Sequence, residues 1–162
     1  MDVLFVCLGN ICRSPMAEAV LLHLTRTRAD ASLWTVDSAG TGAWHVGADP
    51  HAGTLAACAR HGVPISHVGR QIDSSDFFRF DRILAMDRMN MRDLRGVRPR
   101  GATAIMELLG KYDPQGESEV PDPYHSEGPE EFEAVFAQVE RCCRAFLATV
   151  GERKATEGGA GG

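Results

Sequence analysis

Short apolar runs alternate along the chain with longer stretches in which apolar residues recur at helical spacing. The short runs are typical of buried strands and cover residues 3–6, 33–39, 82–87 and 104–109. The longest helical pattern extends from Pro129 to Val150 and predicts an amphipathic helix that closes the domain. Because strands that alternate with helices favour a parallel sheet, the pattern predicts an α/β fold with both faces of the sheet covered.

Residues that start and stop helices define the segments between these runs. The predicted starts are Ser14-Pro15, Asp49-Pro50, Ser74 or Ser75, and Asp87. Gly62 is the predicted stop of the second helix. Glu18 lies near the start of the first helix, where a negative charge favours the helix dipole, and no further role is expected for it.

Composition and charge narrow the functional class. The 162 residues are 44% hydrophobic and 24% charged, which is typical of one globular domain. We therefore predict one domain over residues 1–150 and a disordered, glycine-rich tail over residues 151–162. A net charge of −5 gives no reason to expect nucleic acid or an anionic membrane as a partner.

The N-terminus and the cysteines favour a cytoplasmic location. No apolar run is long enough to span a membrane, and the N-terminus lacks the basic and apolar regions of a signal peptide. The five cysteines are odd in number and two are adjacent, which does not indicate a disulfide framework. Six scattered histidines without close Cys or His pairing argue against zinc, so no metal or cofactor is predicted.

The loop after the first predicted strand carries the most informative residues. Cys7 lies at its base and Arg13 at its end, and Gly9 and Asn10 between them tolerate the positive φ that a tight curl needs. Such a loop can turn its backbone N–H groups towards an anion at a helix N-terminus, and an arginine can bind phosphate through two hydrogen bonds. These groups stabilise a thiolate, so the sequence predicts Cys7 as a nucleophile aimed at a bound phosphate.

The segment Cys7-Leu-Gly-Asn-Ile-Cys-Arg-Ser14-Pro-Met-Ala-Glu18 resembles the signature of the low-molecular-weight protein tyrosine phosphatases. The resemblance continues through Asp37-Ser38-Ala39, Arg60-His61-Gly62, Ser66-His67-Val68, Arg70-Gln71-Ile72, Met86-Asp87, Glu107-Leu108-Leu109-Gly110, Asp122-Pro123-Tyr124 and Arg141-Cys142-Cys143-Arg144-Ala145-Phe146-Leu147. It implies a single-domain, three-layer sandwich with a four-stranded parallel sheet and a phosphate-binding loop after the first strand. It also implies hydrolysis of phosphotyrosine and small aryl phosphates, including acid phosphatase activity, through a cysteinyl-phosphate intermediate.

The resemblance assigns roles to individual residues. The implied groups are catalytic (Cys7, Arg13, Asp122), phosphate-binding (Leu8, Gly9, Asn10, Ile11, Cys12, Arg13, Ser14), loop-supporting (Asn10, Ser14, Ser38, His67) and substrate-pocket wall (Ile11, Trp44, Tyr124, His125). A metal is unnecessary in this scheme, because the arginine and the backbone amides supply the positive potential.

Asp122 is the predicted general acid. Cleaving a phosphate ester requires a proton for the departing oxygen, and a carboxylic acid near other carboxylates stays protonated to higher pH. Pro121 and Pro123 stiffen the loop around it, and Tyr124 adds an aromatic ring. The residue type fits Asp113 as well, which also precedes a proline, and only the resemblance selects Asp122.

Three other functions stay open. Arsenate reductases share the scaffold but need further redox cysteines, and the segment Ile83–Leu94, where these would be expected, has none. Protein arginine phosphatases resemble the motif but carry Thr at the position of Ile11, whose apolar bulk favours an aryl ester. A non-catalytic phosphotyrosine-binding module would keep Arg13 but would need neither Cys7 nor Asp122.

Cys12 and His125 leave regulation and specificity open. Cys12 is either a resolving thiol that traps oxidised Cys7 as a disulfide or a thiol packed inside the loop. Many family members carry a second aromatic residue where this chain has His125, so substrate preference is not fixed by the resemblance. The resemblance implies tyrosine-phosphorylated proteins as partners and a monomer, with a weak dimer as the alternative.

Overall fold

Four parallel strands form the central sheet, and the computed structural model describes residues 1–157, with side-chain surroundings for residues 1–150. The strands are β1 (Asp2–Cys7), β2 (Thr35–Gly40), β3 (Arg82–Ala85) and β4 (Ile105–Leu108). Their order is β2-β1-β3-β4, and every neighbouring pair is parallel. The predicted four-stranded parallel sheet is confirmed.

Five α-helices connect and cover these strands in the described part of the chain. They are α1 (Arg13–Thr25), α2 (Ala52–Arg60), α3 (Asp76–Arg79), α4 (Arg88–Val97) and α5 (Glu130–Glu157), and short 3-10 helices lie at Ala31–Leu33 and Leu109–Tyr112. No helix within residues 1–157 is both long enough and apolar enough to cross a membrane.

Alternate residues of β1 face two separate hydrophobic cores, because successive side chains of a strand point to opposite sides of the sheet. Phe5 lies in the larger core with Phe136 of α5. Leu4 lies in the smaller core with Phe77 of α3 and Leu94 of α4. Each of these buried side chains contributes about 1.5–3 kcal/mol relative to an exposed position. Helices therefore cover both faces of the sheet, as the hydrophobic pattern predicts.

Two predicted helix starts are wrong. α1 begins at Arg13 with Cys12 in the N-cap position, so Ser14 is already inside the helix, and its hydroxyl bonds to Cys7 instead of capping. α2 begins at Ala52 and not at Asp49-Pro50. Here the side chain of His51 is the cap, because its Nδ1 accepts a hydrogen bond from the backbone N–H of Gly53 at 2.9 Å.

Other predicted boundaries agree in part with the structure. Asp87 is confirmed as the N-cap of α4 and forms a capping box with Asn90. Ser75 occupies the N-cap position of α3, but its side chain makes no capping hydrogen bond. The second strand begins later than predicted, at Thr35, because residues 31–33 form a 3-10 helix.

The last helix is longer than the sequence pattern predicts. α5 continues through Gly151 to Glu157, so the prediction of a disordered tail is wrong for residues 151–157. A glycine inside a helix costs about 1 kcal/mol, and a helix already formed over many residues propagates past it. The rest of the predicted tail, residues 158–162, lies outside the described residues.

The carboxyl ends of β1, β2 and β3 lie together at one edge of the sheet. Cys7 pairs with Gly40 at the end of β2, and Val6 pairs with Ala85 at the end of β3. Open parallel sheets bind ligands at this edge. The loop that follows β1 therefore lies where a ligand is expected.

Candidate active site

The loop between β1 and α1, residues 8–12, curls around the side chain of Cys7. Asn10 has a φ of 56°, a left-handed conformation that asparagine tolerates, and its backbone N–H donates to Cys7 Sγ at 3.3 Å. Gly9 does not share this positive φ. A Cβ at this position would lie 2.9 Å from His45 Cδ2, so a larger residue here would require the His45 ring to shift.

Hydrogen-bond donors surround the sulfur of Cys7. Ser14 Oγ lies 3.0 Å from Cys7 Sγ and accepts a hydrogen bond from Asn10 Nδ2 at 2.8 Å. Because that oxygen already accepts, its single hydrogen is available to donate to the sulfur. The sulfur also lies beside the first turn of α1, the positive end of the helix dipole. All of these contacts stabilise negative charge on Cys7.

The buried guanidinium of Arg13 is held from one side and leaves the other side available. Its NH1 donates to Asp87 Oδ2 at 2.6 Å and to the carbonyl of Val120 at 3.1 Å. Its NH2 lies 3.4 Å from Asp122 Oδ2, and among the described residues its buried Nε has no hydrogen-bond partner. The Nε and NH2 edge is the pair of parallel donors that a phosphate oxygen pair fits.

Nearby negative charge keeps Arg13 protonated. Burial disfavours the charged guanidinium, but the negative charge of Cys7 and the hydrogen bond to Asp87 outweigh burial and raise its pKa above the usual value. Arg13 is therefore a fixed positive charge at the base of the loop.

The side chain of Asn10 is the centre of the network behind the loop. Its Nδ2 donates to Ser14 Oγ and, at 3.0 Å, to Ser38 Oγ. Its Oδ1 accepts from His67 Nε2 at 2.7 Å and from the backbone N–H of Arg70 at 2.9 Å. These bonds use both amide hydrogens and both carbonyl lone pairs, so they hold the left-handed residue in one orientation.

Glu18 completes this network, and the prediction that it has no further role is wrong. It is buried on α1, accepts a hydrogen bond from Ser38 Oγ at 3.0 Å and lies 3.0 Å from His67 Nδ1. His67 therefore links Asn10 in the loop to Glu18 on α1 through its two ring nitrogens. Glu18, Asp37 and His67 also bring three potential metal ligand atoms within 4.8 Å of one another, but Glu18 and His67 already contact Ser38 and Asn10 in this network.

The structure distinguishes Asp113 from Asp122, which residue type alone could not do. Asp113 has a buried carboxylate that accepts from Arg141 Nε at 2.8 Å and NH2 at 3.0 Å. The hydrogen bond from Arg141 holds the pKa of Asp113 below its usual value. Asp122 instead lies beside Arg13, and its Oδ1 accepts from the backbone N–H of Tyr124 at 3.1 Å.

The loop before the predicted general acid is anchored to both β3 and α5. The N–H of Val120 donates to the carbonyl of Met86 at 2.8 Å, just beyond β3. The side chain of Gln138 on α5 is buried and donates to the carbonyls of Glu117 at 3.2 Å and Glu119 at 2.9 Å. These anchors fix the start of the loop and leave its tip near the cavity.

A cavity of about 240 Å³ opens over the β1–α1 loop. It is lined by Cys7, Leu8, Gly9, Ile11, Cys12, Arg13, Trp44, His45, Asp122, Tyr124 and His125. The predicted catalytic and wall residues are thus brought together in one cavity, whereas the loop-supporting residues lie behind the loop. Trp44 is 74% exposed and stands at the rim, where a flat substrate ring could contact it.

Some residues of the site were not found in the sequence, although signals for two of them were present. Glu18 lies four residues after Ser14 on α1 and therefore on the same helix face. Asp87 follows β3 at the ligand-binding edge of the sheet, so its pairing with Arg13 had a positional signal. Arg70 and His45 reach the site through loops, and periodicity gives no signal for them.

The surroundings of the other cysteines differ from those of Cys7. Burial, with the nearby negative charge of Cys7, raises the pKa of Cys12 to about 12. Burial likewise raises the pKa of Cys58 to about 11 and that of Cys142 to about 12. These three residues are therefore neutral thiols near pH 7.

Known proteins resemble this chain in both sequence and fold. A family model described as low molecular weight phosphotyrosine protein phosphatase matches residues 2–156. A human protein of that name is 48% identical over 148 residues, which cover 90% of this chain and 93% of that protein. A protein tyrosine phosphatase from Entamoeba histolytica superposes with a TM-score of 0.89 at 34% identity, covering 95% of this chain and 99% of that one. A Drosophila arginine phosphatase superposes with a TM-score of 0.85 at 40% identity, covering 93% and 98%. The chain belongs to the low molecular weight phosphotyrosine protein phosphatase family.

Proposed function

We propose that this chain hydrolyses phosphotyrosine in proteins, and small aryl phosphates, through a cysteinyl-phosphate intermediate. The observation that carries the proposal is the shared cavity, in which a sulfur among hydrogen-bond donors, an available guanidinium edge and a carboxylate all face one space. Aromatic walls suit the ring of an aryl ester. Two solved structures with this fold are named for tyrosine and arginine phosphatase activity, which supports phosphate-monoester or phosphoramidate cleavage as the reaction class.

In the first step, the Cys7 thiolate attacks phosphorus in line with the departing oxygen. The backbone N–H groups of the loop and the Nε and NH2 edge of Arg13 bind the equatorial phosphate oxygens. Asp122 donates its proton to the phenolic oxygen, so the P–O bond breaks and the phenol leaves neutral. The sulfur then carries the phosphoryl group, and Asp122 is a carboxylate.

In the second step, water replaces the sulfur. The Asp122 carboxylate accepts a proton from a water molecule as that water attacks phosphorus, and the P–S bond breaks. Ser14 donates its hydrogen to the departing thiolate, in the same contact that it makes in the free enzyme. Inorganic phosphate is released, and both Cys7 and Asp122 return to their starting protonation states.

Phosphate release from phosphotyrosine, phosphoserine and phosphoarginine peptides, measured without metal, tests this function. Wild type should favour phosphotyrosine, Cys7→Ser should lose turnover, and Asp122→Ala should slow it by about 10²-fold or more. Appreciable turnover by Cys7→Ser would contradict the covalent mechanism. Binding of phosphotyrosine without turnover by wild type would indicate a recognition module instead.

Protein arginine phosphatase activity is the second candidate, because a Drosophila arginine phosphatase shares the fold at 40% identity. The side chain that decides between them is Ile11, which is buried and lines the cavity. Its apolar bulk packs against an aryl ring and offers no hydrogen bond to a guanidinium. We expect Ile11→Thr to shift the ratio of phosphoarginine to phosphotyrosine turnover upwards, with Ile105→Thr, at an exposed isoleucine on β4 that does not line the cavity, as the matched control. A wild-type preference for phosphoarginine would contradict this argument.

Arsenate reduction is a weaker candidate, since β3 and α4 contain no cysteine beside the cavity. The partners proposed here are tyrosine-phosphorylated proteins in the cytoplasm, acted on by a monomer or a weak dimer. Analytical ultracentrifugation across a range of protein concentrations would measure the oligomeric state.

Reversible oxidation is proposed to involve Cys12, which occupies the N-cap position of α1 and lines the same cavity as Cys7. Oxidation of Cys7 to a sulfenic acid would let Cys12 attack its sulfur, forming the disulfide and releasing water. Mass spectrometry after mild peroxide treatment should detect a Cys7–Cys12 link. Overoxidised Cys7 without that link would contradict the proposal that Cys12 traps oxidised Cys7 as a disulfide.

A further inference from the structure

A second groove lies directly beside the active-site cavity. We call it the flanking groove and define it by Leu8, Trp44, Ile72, Asp73, Asp93 and Val97; its volume is about 350 Å³. Leu8 and Trp44 line both spaces, so these two side chains form the boundary between the cavity and the groove. When a peptide inserts a phosphotyrosine into the cavity, the residues next to that phosphotyrosine can therefore reach the flanking groove.

The groove combines apolar walls with acidic side chains. Leu8, Trp44 and Val97 are all exposed, although large apolar side chains usually lie inside a domain. Asp73 and Asp93 line the same groove. A lysine or arginine side chain matches this combination, because its methylene stem can lie on apolar surface while its charged end reaches a carboxylate.

Among the described residues, neither aspartate of the groove has a strong cationic partner, so both carboxylates are available to an incoming ligand. Asp73 Oδ1 accepts a hydrogen bond from the backbone N–H of Ser75 at 3.0 Å, which leaves its charge uncompensated. Asp93 has Arg92 NH2 at 3.6 Å, but that arginine side chain is 73% exposed, and such pairs contribute little. The net charge of −5 adds a long-range attraction for basic peptides.

The ring of Trp44, at the boundary between cavity and groove, can also bind a cation. The ring of Trp44 packs against Gly42, which also lines the groove, so a side chain there would displace the ring. A tryptophan face attracts an ammonium or guanidinium group that lies within about 6 Å of the ring centre. The same ring thus can contact a phosphotyrosine on one side and a basic side chain on the other.

We propose that the flanking groove is a substrate subsite that binds a lysine or arginine side chain near the phosphotyrosine. The proposal rests on the proposed function of the cavity and specifies the substrate class further: phosphotyrosine peptides with a basic flanking residue. Asp73 and Asp93 determine the preference for charge, and Leu8, Trp44 and Val97 bind the apolar stem.

Peptide substrates that differ at one position test the subsite. Lysine, norleucine and glutamate are placed in turn at each of the three positions on either side of phosphotyrosine, and kcat/KM is measured at low ionic strength. At one position or more, lysine should exceed norleucine by about threefold to tenfold and glutamate by more, and added salt should reduce the difference. Equal values for lysine and glutamate at every position would overturn the proposal.

Variants then assign the preference to the groove. In the double variant Asp73→Asn/Asp93→Asn the lysine preference should fall to near one, whereas Asp49→Asn removes an exposed carboxylate that lines neither space and should leave it unchanged. A preference that persists in the double variant would overturn the proposal. A preference that varied with protein concentration would assign the groove to a second copy of the chain and would also overturn it.

Turnover of a small aryl phosphate separates this proposal from the function on which it rests. That substrate reaches only the cavity, so each peptide kcat/KM is divided by the aryl phosphate value of the same variant. Absent aryl phosphate turnover in wild type would refute the proposed function. Normal aryl phosphate turnover with no effect of peptide charge would refute the subsite alone.

Discussion

The two halves of the candidate site are built in opposite ways. The half that holds the anion is buried and saturated with hydrogen bonds: Asn10 is 1% exposed, and its side chain takes part in four of them. The half that carries Asp122 is open, with a side chain that is 44% exposed. Its carboxylate has one backbone donor and the more distant Arg13.

This difference follows from what each half must do. Donors that stabilise a phosphoryl transition state are effective when they are fixed before the reaction, since no energy is then spent on turning them. A general acid must regain its proton from water in every cycle, which requires exposure. We therefore expect substitutions in the buried half to lower kcat/KM equally for all aryl phosphates. Substitutions around Asp122 should lower it by an amount that depends on the leaving group.

The largest effect is expected for Arg13→Lys. A lysine cannot supply two parallel donors and leaves acceptors on Asp87 and Val120 unpaired. We expect kcat/KM to fall by about 10³-fold for every aryl phosphate, whatever its leaving group. Arg88→Lys, an exposed arginine on α4, is the matched control and should have little effect. A loss below tenfold, or one that varied with the leaving group, would contradict the assignment of Arg13 to the anion.

A smaller effect, and one of a different kind, is expected for Asp122→Asn. The amide cannot donate the proton that a poor leaving group needs, so kcat/KM for phenyl phosphate, which covers only the steps up to loss of the phenol, should fall by about 10²-fold. For nitrophenols, which leave as anions, the loss in kcat/KM should be far smaller. The measurement is the slope of log kcat/KM against the pKa of the leaving phenol, which should steepen in the variant. An equal loss across the series would show that Asp122 acts on the anion and not on the leaving group.

The same difference explains which parts of the molecule could be predicted from the sequence. The buried half is encoded locally: an apolar strand, Cys7, Asn10 and Arg13 follow one another within a dozen residues, and parallel-sheet geometry brings them to one edge. The open half is not. Asp113 and Asp122 have the same residue type and each precedes a proline, and only tertiary contacts with Arg141 or with the cavity distinguish them.

Helix starts show the same limit on a smaller scale. Ser14 and Pro15 form a good capping signal, yet α1 starts two residues earlier than they predict, and the Ser14 hydroxyl is used by Cys7 and Asn10. Glu18 shows the same limit, since a charge near a helix start has a sufficient local explanation, whereas its partners Ser38 and His67 come from distant segments. Residues whose partners come from distant segments cannot be recognised by local patterns, and functional sites collect such residues.

A moderate effect is expected for Gln138→Leu, which acts on Asp122 from a distance. Its amide donates to two carbonyls of the loop before Asp122, and leucine leaves both unpaired. We expect kcat/KM for phenyl phosphate to fall about threefold to tenfold, with a steeper dependence on the leaving group and little change for nitrophenyl phosphate. Gln115→Leu, on an exposed part of the same loop, is the control. A uniform loss for all substrates would indicate general destabilisation instead of mispositioning.

The smallest effect on turnover is expected for Asp113→Asn, which should change stability instead. The variant weakens the bidentate bond to Arg141, and we expect the free energy of unfolding in urea to fall by about 1–3 kcal/mol at neutral pH. Because the pKa of Asp113 is lowered in the folded state, its contribution is complete above the ordinary carboxyl pKa of about 3.9 and is lost as the pH falls below it. The difference between variant and wild type should therefore shrink in acid, with kcat for phenyl phosphate unchanged near pH 7. A variant of normal stability that lost turnover with a leaving-group dependence would assign the acid to Asp113 and remove the distinction between the two aspartates.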